Sequence, residues 1–150
     1  MGVVRRDSMA MKPFCGYNFG DYWKHWLSFE GRVSRLPRVF HVNWFRQDGN
    51  GKFLWPGFGE NLRVLRWIAD RCDGKVPAVE TPIGLLPRKE DLDLDGLDLD
   101  GATLDTLLSI DRDAWHREME SIGEYLDGFG DRVPQALRDE HRAITGALGG

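Results

Sequence analysis

The sequence predicts a mixed α/β fold of the α+β kind, with one β-hairpin set among helices. Three observations support this class: helical apolar spacing in several segments, a single segment rich in β-branched and aromatic residues, and a glycine-rich turn directly after it. The 150 residues are 41% hydrophobic and 29% charged, as in one ordinary globular domain. The predicted order is helix, hairpin, helix, extended segment and two C-terminal helices.

The first helix and the hairpin follow from residue spacing. Apolar residues recur at intervals of three and four between Tyr17 and Phe29, which predicts a helix that ends near Gly31. The run RVFHVNWF, residues 38–45, predicts a strand, and KFLW a second strand after the turn QDGNG. With a three-residue loop, residues 49–51, Gln47 would lie opposite Phe53, and Phe45 would share a face with Phe53; a two- or four-residue loop would separate the two rings.

The remaining elements are assigned in the same way. Helical spacing resumes at Asn61, a predicted N-cap, and stops near Gly74. VETPIGLLP predicts a short edge strand or an extended segment. A heptad stripe that follows the N-cap Asp111 predicts a long helix, and a last helix is expected over residues 135–148.

An acidic segment precedes the two C-terminal helices. Residues 90–113 carry nine acids against one basic residue, and DLDLDG resembles the start of a calcium loop. However, Ala102 stands at the twelfth place, where a calcium loop needs a bidentate Glu. We therefore expect a solvated acidic loop with inward-facing leucines.

Several function classes are disfavoured by composition. A net charge of −4 argues against a nucleic-acid partner, and no apolar run is long enough for a membrane span. Cys15 and Cys72 form no CxxC pair, the four histidines form no metal-binding motif, and GNGK lacks the spacing of a phosphate loop. The opening segment, residues 1–13, lacks the apolar stretch of a secretory signal, so we expect a cytoplasmic protein.

The segment WPGFGEN is the candidate binding site. Phe45, Phe53 and Phe58 could offer aromatic faces to a flat heterocycle, and each stack would contribute about 1–3 kcal/mol. Gly57 and Gly59 would let the backbone approach the ring, and the Asn61 amide could contact a base edge. The helix that starts there would favour an anion. The alternative is that these three phenylalanines and two tryptophans near the hairpin, Trp44 and Trp55, form a small satellite core.

Three long strings carry a family resemblance: PFCGYNFGDYWKHWL, LPRVFHVNWFRQDGNGKFLWPGFGENLRVLRWI and TPIGLLPRKEDL. They resemble the C-terminal part of the GTP-dependent phosphoenolpyruvate carboxykinases, and the similarity fades after about Asp131. The resemblance implies that residues 1–150 are the C-terminal portion of that family's nucleotide-binding domain. It also implies a reaction that converts oxaloacetate and GTP to phosphoenolpyruvate, GDP and carbon dioxide in gluconeogenesis.

The resemblance further implies which residues bind and which groups are missing. The guanine nucleotide would be bound by the following residues: Phe45, Phe53, Phe58, Gly59, Glu60 and Asn61. The family's phosphate loop, its Mn²⁺ or Mg²⁺ ligands and its substrate-binding arginines would lie upstream, so we expect no catalytic residue and no metal ligand in this chain. The fragment alone would be inactive, and the complete enzyme a monomer. The alternative function is a standalone nucleotide-binding or interaction module without catalysis.

Overall fold

A computed structural model describes residues 11–149 of the chain. Residues 1–10 lie outside the described part. The prediction that the opening segment is not a secretory signal concerns mostly these residues. The chain divides into two compact units: one comprises residues up to Leu36 together with those from Asp111 onward, and the other spans Pro37–Ile110. Among the described helices, none combines the length and apolarity that a membrane crossing requires.

The first unit contains three of the predicted helices, which confirms those assignments. They are α1 (Phe19–Leu27), α4 (Arg112–Asp127) and α5 (Gln135–Leu148). Asn18 caps α1 by accepting the amide of Gly20 at 2.8 Å, and Asp111 caps α4 by accepting the amide of Ala114 at 2.9 Å. At the start of each of these two helices, a side-chain oxygen thus accepts a backbone N–H that has no partner within the helix.

An aromatic cluster and a tight backbone contact hold the first unit together. The ring of Trp23 meets that of Phe129 at 5.0 Å between centroids, and Phe19, which is buried, lies 5.5 Å from Trp23. Gly20 must be a glycine because a β-carbon there would collide with the carbonyl of Arg132. An ion pair between Asp21 and Arg132, at 2.5 Å, joins the same two segments.

The second unit is built on α2 (Asn61–Cys72), α3 (Gly101–Leu108) and a two-stranded antiparallel sheet. The strands β1 (Val79–Thr81) and β2 (Gly84–Leu86) pair with Thr81 opposite Gly84. The core consists of the buried side chains Trp67, Leu92 and Leu104, surrounded by partly buried apolar side chains that include Phe40 and Leu94. Leu92 comes from the acidic segment, which confirms its inward-facing leucines.

The structure corrects the predicted fold class in three places. Residues 11–149 are mostly helical, and the one small sheet among them lies at β1 and β2, where the sequence predicted an edge strand or extended segment. The predicted strands over residues 38–45 and 52–55 form no ladder among the described residues: residues 44 and 45 lie in a turn, and only an isolated bridge joins Gln47 to Phe53. The acidic segment contains α3, which the sequence analysis missed because its own apolar spacing is short and lies among the aspartates.

Candidate functional site

The hairpin loop brings two of the predicted rings together. Gln47 pairs with Phe53 in an isolated antiparallel bridge, and the Leu54 amide donates to the Arg46 carbonyl at 2.9 Å. This pairing leaves a three-residue loop, residues 49–51, with Gly51 at a φ of 81°. The rings of Phe45 and Phe53 therefore share a face, with centroids 5.9 Å apart and planes at 64°. The sequence left the loop length open, and the ring contact is the one expected for the three-residue loop.

The three phenylalanines lie on the surface rather than in a satellite core. Phe45 is 71% exposed, Phe53 51% and Phe58 92%. Phe45 and Phe53 meet edge to face, and Phe58 makes no ring contact within the described residues. The chain thus presents a pair of touching rings and a separate third ring, and no parallel slot lies between the pair.

The turn that carries Phe58 depends on one glycine. Gly57 has φ 128° and ψ −170°, a region that side chains with a β-carbon scarcely enter. A short 3-10 turn, Phe58–Glu60, follows and leads directly into α2. Gly59 lies inside this turn, and a β-carbon there would meet no atom within 4 Å. Gly57 is therefore required by conformation, while Gly59 leaves open space beside the backbone.

Asn61 is oriented by a tryptophan rather than used as a helix cap. The predicted N-cap role is wrong: the N-cap position is Glu60, and Asn61 is the first residue of α2. The indole Nε1 of Trp55 donates to Oδ1 of Asn61 at 2.9 Å, and Trp55 is only 7% exposed. The amide nitrogen of Asn61 makes no hydrogen bond to any residue that the structure describes. The oxygen of this amide is therefore held by Trp55, and its N–H groups are available to contact a ligand.

Charged residues surround the start of α2. Glu60 accepts a hydrogen bond from Nε of Arg63 at 2.6 Å, and Nη1 of Arg63 also donates to the Asp93 carbonyl at 2.8 Å. Asp93 in turn pairs with Arg66 at 3.2 Å. Glu60, one of the predicted site residues, is thus engaged within the chain. Its carboxylate lies in the turn that leads into the helix N-terminus that the sequence analysis proposed for an anion.

Two further residues hold the hairpin in place. Arg46 donates from Nη1 to the carbonyls of Leu107 at 3.2 Å and Ser109 at 3.0 Å, and from Nη2 to the Ser109 hydroxyl at 3.0 Å. Asp48 accepts the backbone amides of Asn50 at 2.8 Å and of Lys52 at 2.9 Å through Oδ1. These backbone hydrogen bonds, the Lys52 amide first, lower the pKa of the Asp48 carboxyl.

The acidic segment does not assemble a metal centre among residues 11–149, where no group of three or more His, Cys, Asp or Glu side chains could hold an ion. Asp91, the first position of the calcium-like run, forms a two-bonded ion pair with Arg88, whose guanidinium lowers the pKa of that carboxyl. A groove of about 230 Å³ lies in the first unit, lined by Gly123, Leu126, Asp127, Arg138, His141 and Arg142. None of the predicted site residues lines it.

Comparison with known proteins decides the family. Residues 1–147 match the family model described as the phosphoenolpyruvate carboxykinase C-terminal P-loop domain. The chain belongs to the GTP-dependent phosphoenolpyruvate carboxykinase family. It is 53% identical over 150 residues to the phosphoenolpyruvate carboxykinase [GTP] of Chlamydia pneumoniae, covering 99% of this chain and 25% of that protein.

Two other relatives give the same result. The phosphoenolpyruvate carboxykinase [GTP] of Arthrobacter sp. (strain FB24) is 51% identical over 146 residues, which is 96% of this chain and 24% of that protein. The protein of the same name from Neocallimastix frontalis is 52% identical over 150 residues, covering 98% of this chain and 24% of the relative. The chain therefore spans about a quarter of the length of the carboxykinases it matches. The family resemblance found in its sequence is confirmed, but the match continues to residue 147 instead of fading after about Asp131.

Sequence reasoning missed the roles of Trp55 and Arg46. Trp55 was grouped with the rings that could form a core, although a buried indole N–H normally requires an acceptor. Asn61, six residues further along, was the nearest candidate that the sequence offered. Arg46 gave no such signal because its partners lie more than 60 positions away, at the end of α3.

Proposed function

We propose that this chain is the guanine-nucleotide-binding C-terminal part of a GTP-dependent phosphoenolpyruvate carboxykinase. The observation that carries the proposal is the exposure of Phe45, Phe53 and Phe58 together with an asparagine amide whose orientation is fixed. Apolar rings of this size are normally buried, and exposed groups of them mark binding surfaces. In the proposed complex a purine base stacks on one or more of these rings and contacts Asn61 with its edge.

The reaction we propose for the complete protein converts oxaloacetate and GTP to phosphoenolpyruvate, GDP and carbon dioxide. It requires a divalent cation, Mn²⁺ or Mg²⁺, to stabilise developing negative charge. The described residues offer no cluster that fits such an ion, so we assign this chain no metal-assisted step. Its own contribution is to bind and orient the base, which fixes the position of the nucleotide for groups elsewhere in the enzyme.

The remaining surface supports a role as part of a larger protein. Phe14 is 90% exposed, Val39 88% and Leu62 71%, in addition to the three phenylalanines. Contiguous exposed apolar surface marks contacts with a partner or another domain, and we propose that these side chains contribute to such surfaces. We accordingly propose that residues 1–150 form the C-terminal portion of the nucleotide-binding domain.

Titration of the 150-residue chain with GDP, followed by ligand-observed NMR, tests the proposal. Because all the proposed contacts are to the base, guanosine should bind with an affinity within about threefold of that of GDP, since an added solvated phosphate contact contributes little. Phe53→Ala and Phe58→Ala should each weaken GDP binding about fivefold or more, the lower end of the value of a base stack.

Phe14→Ala is the matched control, because Phe14 is as exposed as Phe58 but lies in the other unit. It should leave GDP binding unchanged. A chain with an intact circular-dichroism spectrum that binds no GDP would refute the proposal. Equal losses in the Phe14 and Phe58 variants would refute the assignment of the rings.

A further inference from the structure

The hydrogen bond between Trp55 and Asn61 determines which end of an amide faces outward. An indole nitrogen can only donate, whereas an asparagine side chain has an acceptor at one end and two donors at the other. The distance of 2.9 Å from Nε1 of Trp55 to the asparagine therefore assigns the contacted atom as Oδ1. Rotating the amide by half a turn would set donor against donor.

The indole is held firmly enough to enforce this choice. Trp55 is 7% exposed, so water has little access to replace the lost acceptor if the amide rotates. Its ring packs against Trp44, with centroids 6.3 Å apart. The amide belongs to the first residue of α2, whose backbone has helical angles of φ −60° and ψ −27°. Burial and packing thus limit the rotation of the Trp55 ring, and Asn61 has a helical backbone.

We infer that Trp55 is a positioning residue that sets base specificity: it holds the Asn61 amide with its N–H groups outward, so that the site selects a 6-oxopurine over adenine. This inference rests on the proposed function. A 6-oxopurine presents a carbonyl acceptor at the position where adenine carries an amino donor. The outward N–H groups of Asn61 match the carbonyl and oppose the amino group, and an unmatched polar pair is penalised more heavily than a missing contact.

The test measures the ratio of the ADP and GDP dissociation constants for the 150-residue chain by ligand-observed NMR. Trp55→Phe keeps an aromatic ring and removes the donor. The ratio should fall by about three- to tenfold, since the amide can then rotate to present its oxygen to adenine. IDP, which has the 6-oxo group without the exocyclic amine of guanine, should lose affinity in parallel with GDP.

Trp44→Phe is the matched control, because it removes an indole from the same ring cluster without touching Asn61. The control should leave the ratio unchanged. If Trp55→Phe retains the unsubstituted ratio with an intact circular-dichroism spectrum, or if Trp44→Phe lowers the ratio equally, the inference is overturned.

A second variant addresses the amide directly and remains informative if Trp55→Phe fails to fold. Asn61→Asp retains an oxygen for Trp55 to donate to, and replaces the outward donors by an acceptor. The ratio should fall below one, in favour of ADP. Undiminished preference for GDP in this variant would overturn the inference. If the unsubstituted chain does not bind GDP, that result instead overturns the proposed function, and this inference with it.

Discussion

Replacement of Arg46 by methionine should destabilise the chain and weaken its binding of guanine. The guanidinium makes three hydrogen bonds to the end of α3: two from Nη1 to carbonyls of Leu107 and Ser109, and one from Nη2 to the Ser109 hydroxyl. The last carbonyls of a helix have no partner within the helix, so a cation there both satisfies them and interacts favourably with the helix dipole. Methionine keeps the length of the aliphatic stem and removes both effects.

The expected cost is about 2 kcal/mol. A hydrogen bond from a charged donor contributes about 1.5–3 kcal/mol when its surroundings are shielded. Only the bond to Leu107 is part-buried; the two bonds to Ser109 are exposed, and we discount each to about 0.5 kcal/mol or less because solvent screens them. The stem of Arg46 itself is half-buried, and methionine should preserve its packing.

Urea denaturation, followed by tryptophan fluorescence, measures the loss of unfolding free energy. Arg38→Met is the matched control, because Arg38 makes one hydrogen bond, at 2.7 Å, to the Arg71 carbonyl at the end of α2. The control should cost about 1 kcal/mol or less, as expected for one exposed bond. The control should leave GDP binding intact. Arg46→Met should weaken GDP binding, because the Arg46 side chain anchors the backbone between Phe45 and Gln47 to the end of α3. Equal costs for the two variants, or unchanged GDP binding in Arg46→Met, would refute this reasoning.

Two further predictions concern the loops around the rings. Gly57→Ala should lower the unfolding free energy, measured in urea, by about 1–3 kcal/mol, because φ 128° with ψ −170° strains any residue that has a β-carbon. Gly59→Ala is the control and should cost little, because a β-carbon there meets no atom within 4 Å. Equal losses in the two variants would contradict the explanation. Because its pKa is lowered in the folded chain, Asp48 should contribute stability above the ordinary carboxyl pKa of about 4, and this contribution should be lost as the pH falls through the lowered value. The difference in unfolding free energy between the chain and Asp48→Asn should therefore shrink below about pH 4, and a pH-independent difference would contradict the role of the carboxylate.

Local sequence predicted four of the five described α-helices and the position of the hairpin turn, because both depend on neighbouring residues. The bounds predicted for the last helix, residues 135–148, agree with α5, since helical spacing and Pro134 define them locally. The turn QDGNG was located from the sequence, but its loop length was left open, and the three-residue loop of the structure brings Phe45 and Phe53 together. The strand over residues 38–45 failed because strand propensity does not supply a partner, and a ladder needs backbone groups from elsewhere in the chain.

Some features of the candidate site were likewise predictable from local sequence, and others were not. Phe45, Phe53, Phe58 and Asn61 were found from the order of residues in one short stretch, together with the family resemblance. Their exposure could not be predicted, because the same apolar residues would suit a core equally well and only packing decides which rings are covered.

The sequence by itself therefore determined the family, the positions of all the described α-helices except α3, and the residues proposed to contact a base, since each depends on residue identity over short spans. Only the tertiary structure decided that the three phenylalanines face outward, that Arg46 anchors the hairpin to α3, and that Trp55 orients the Asn61 amide. The physical reason is that exposure and hydrogen-bond direction depend on distances in space, which spacing along the chain does not specify.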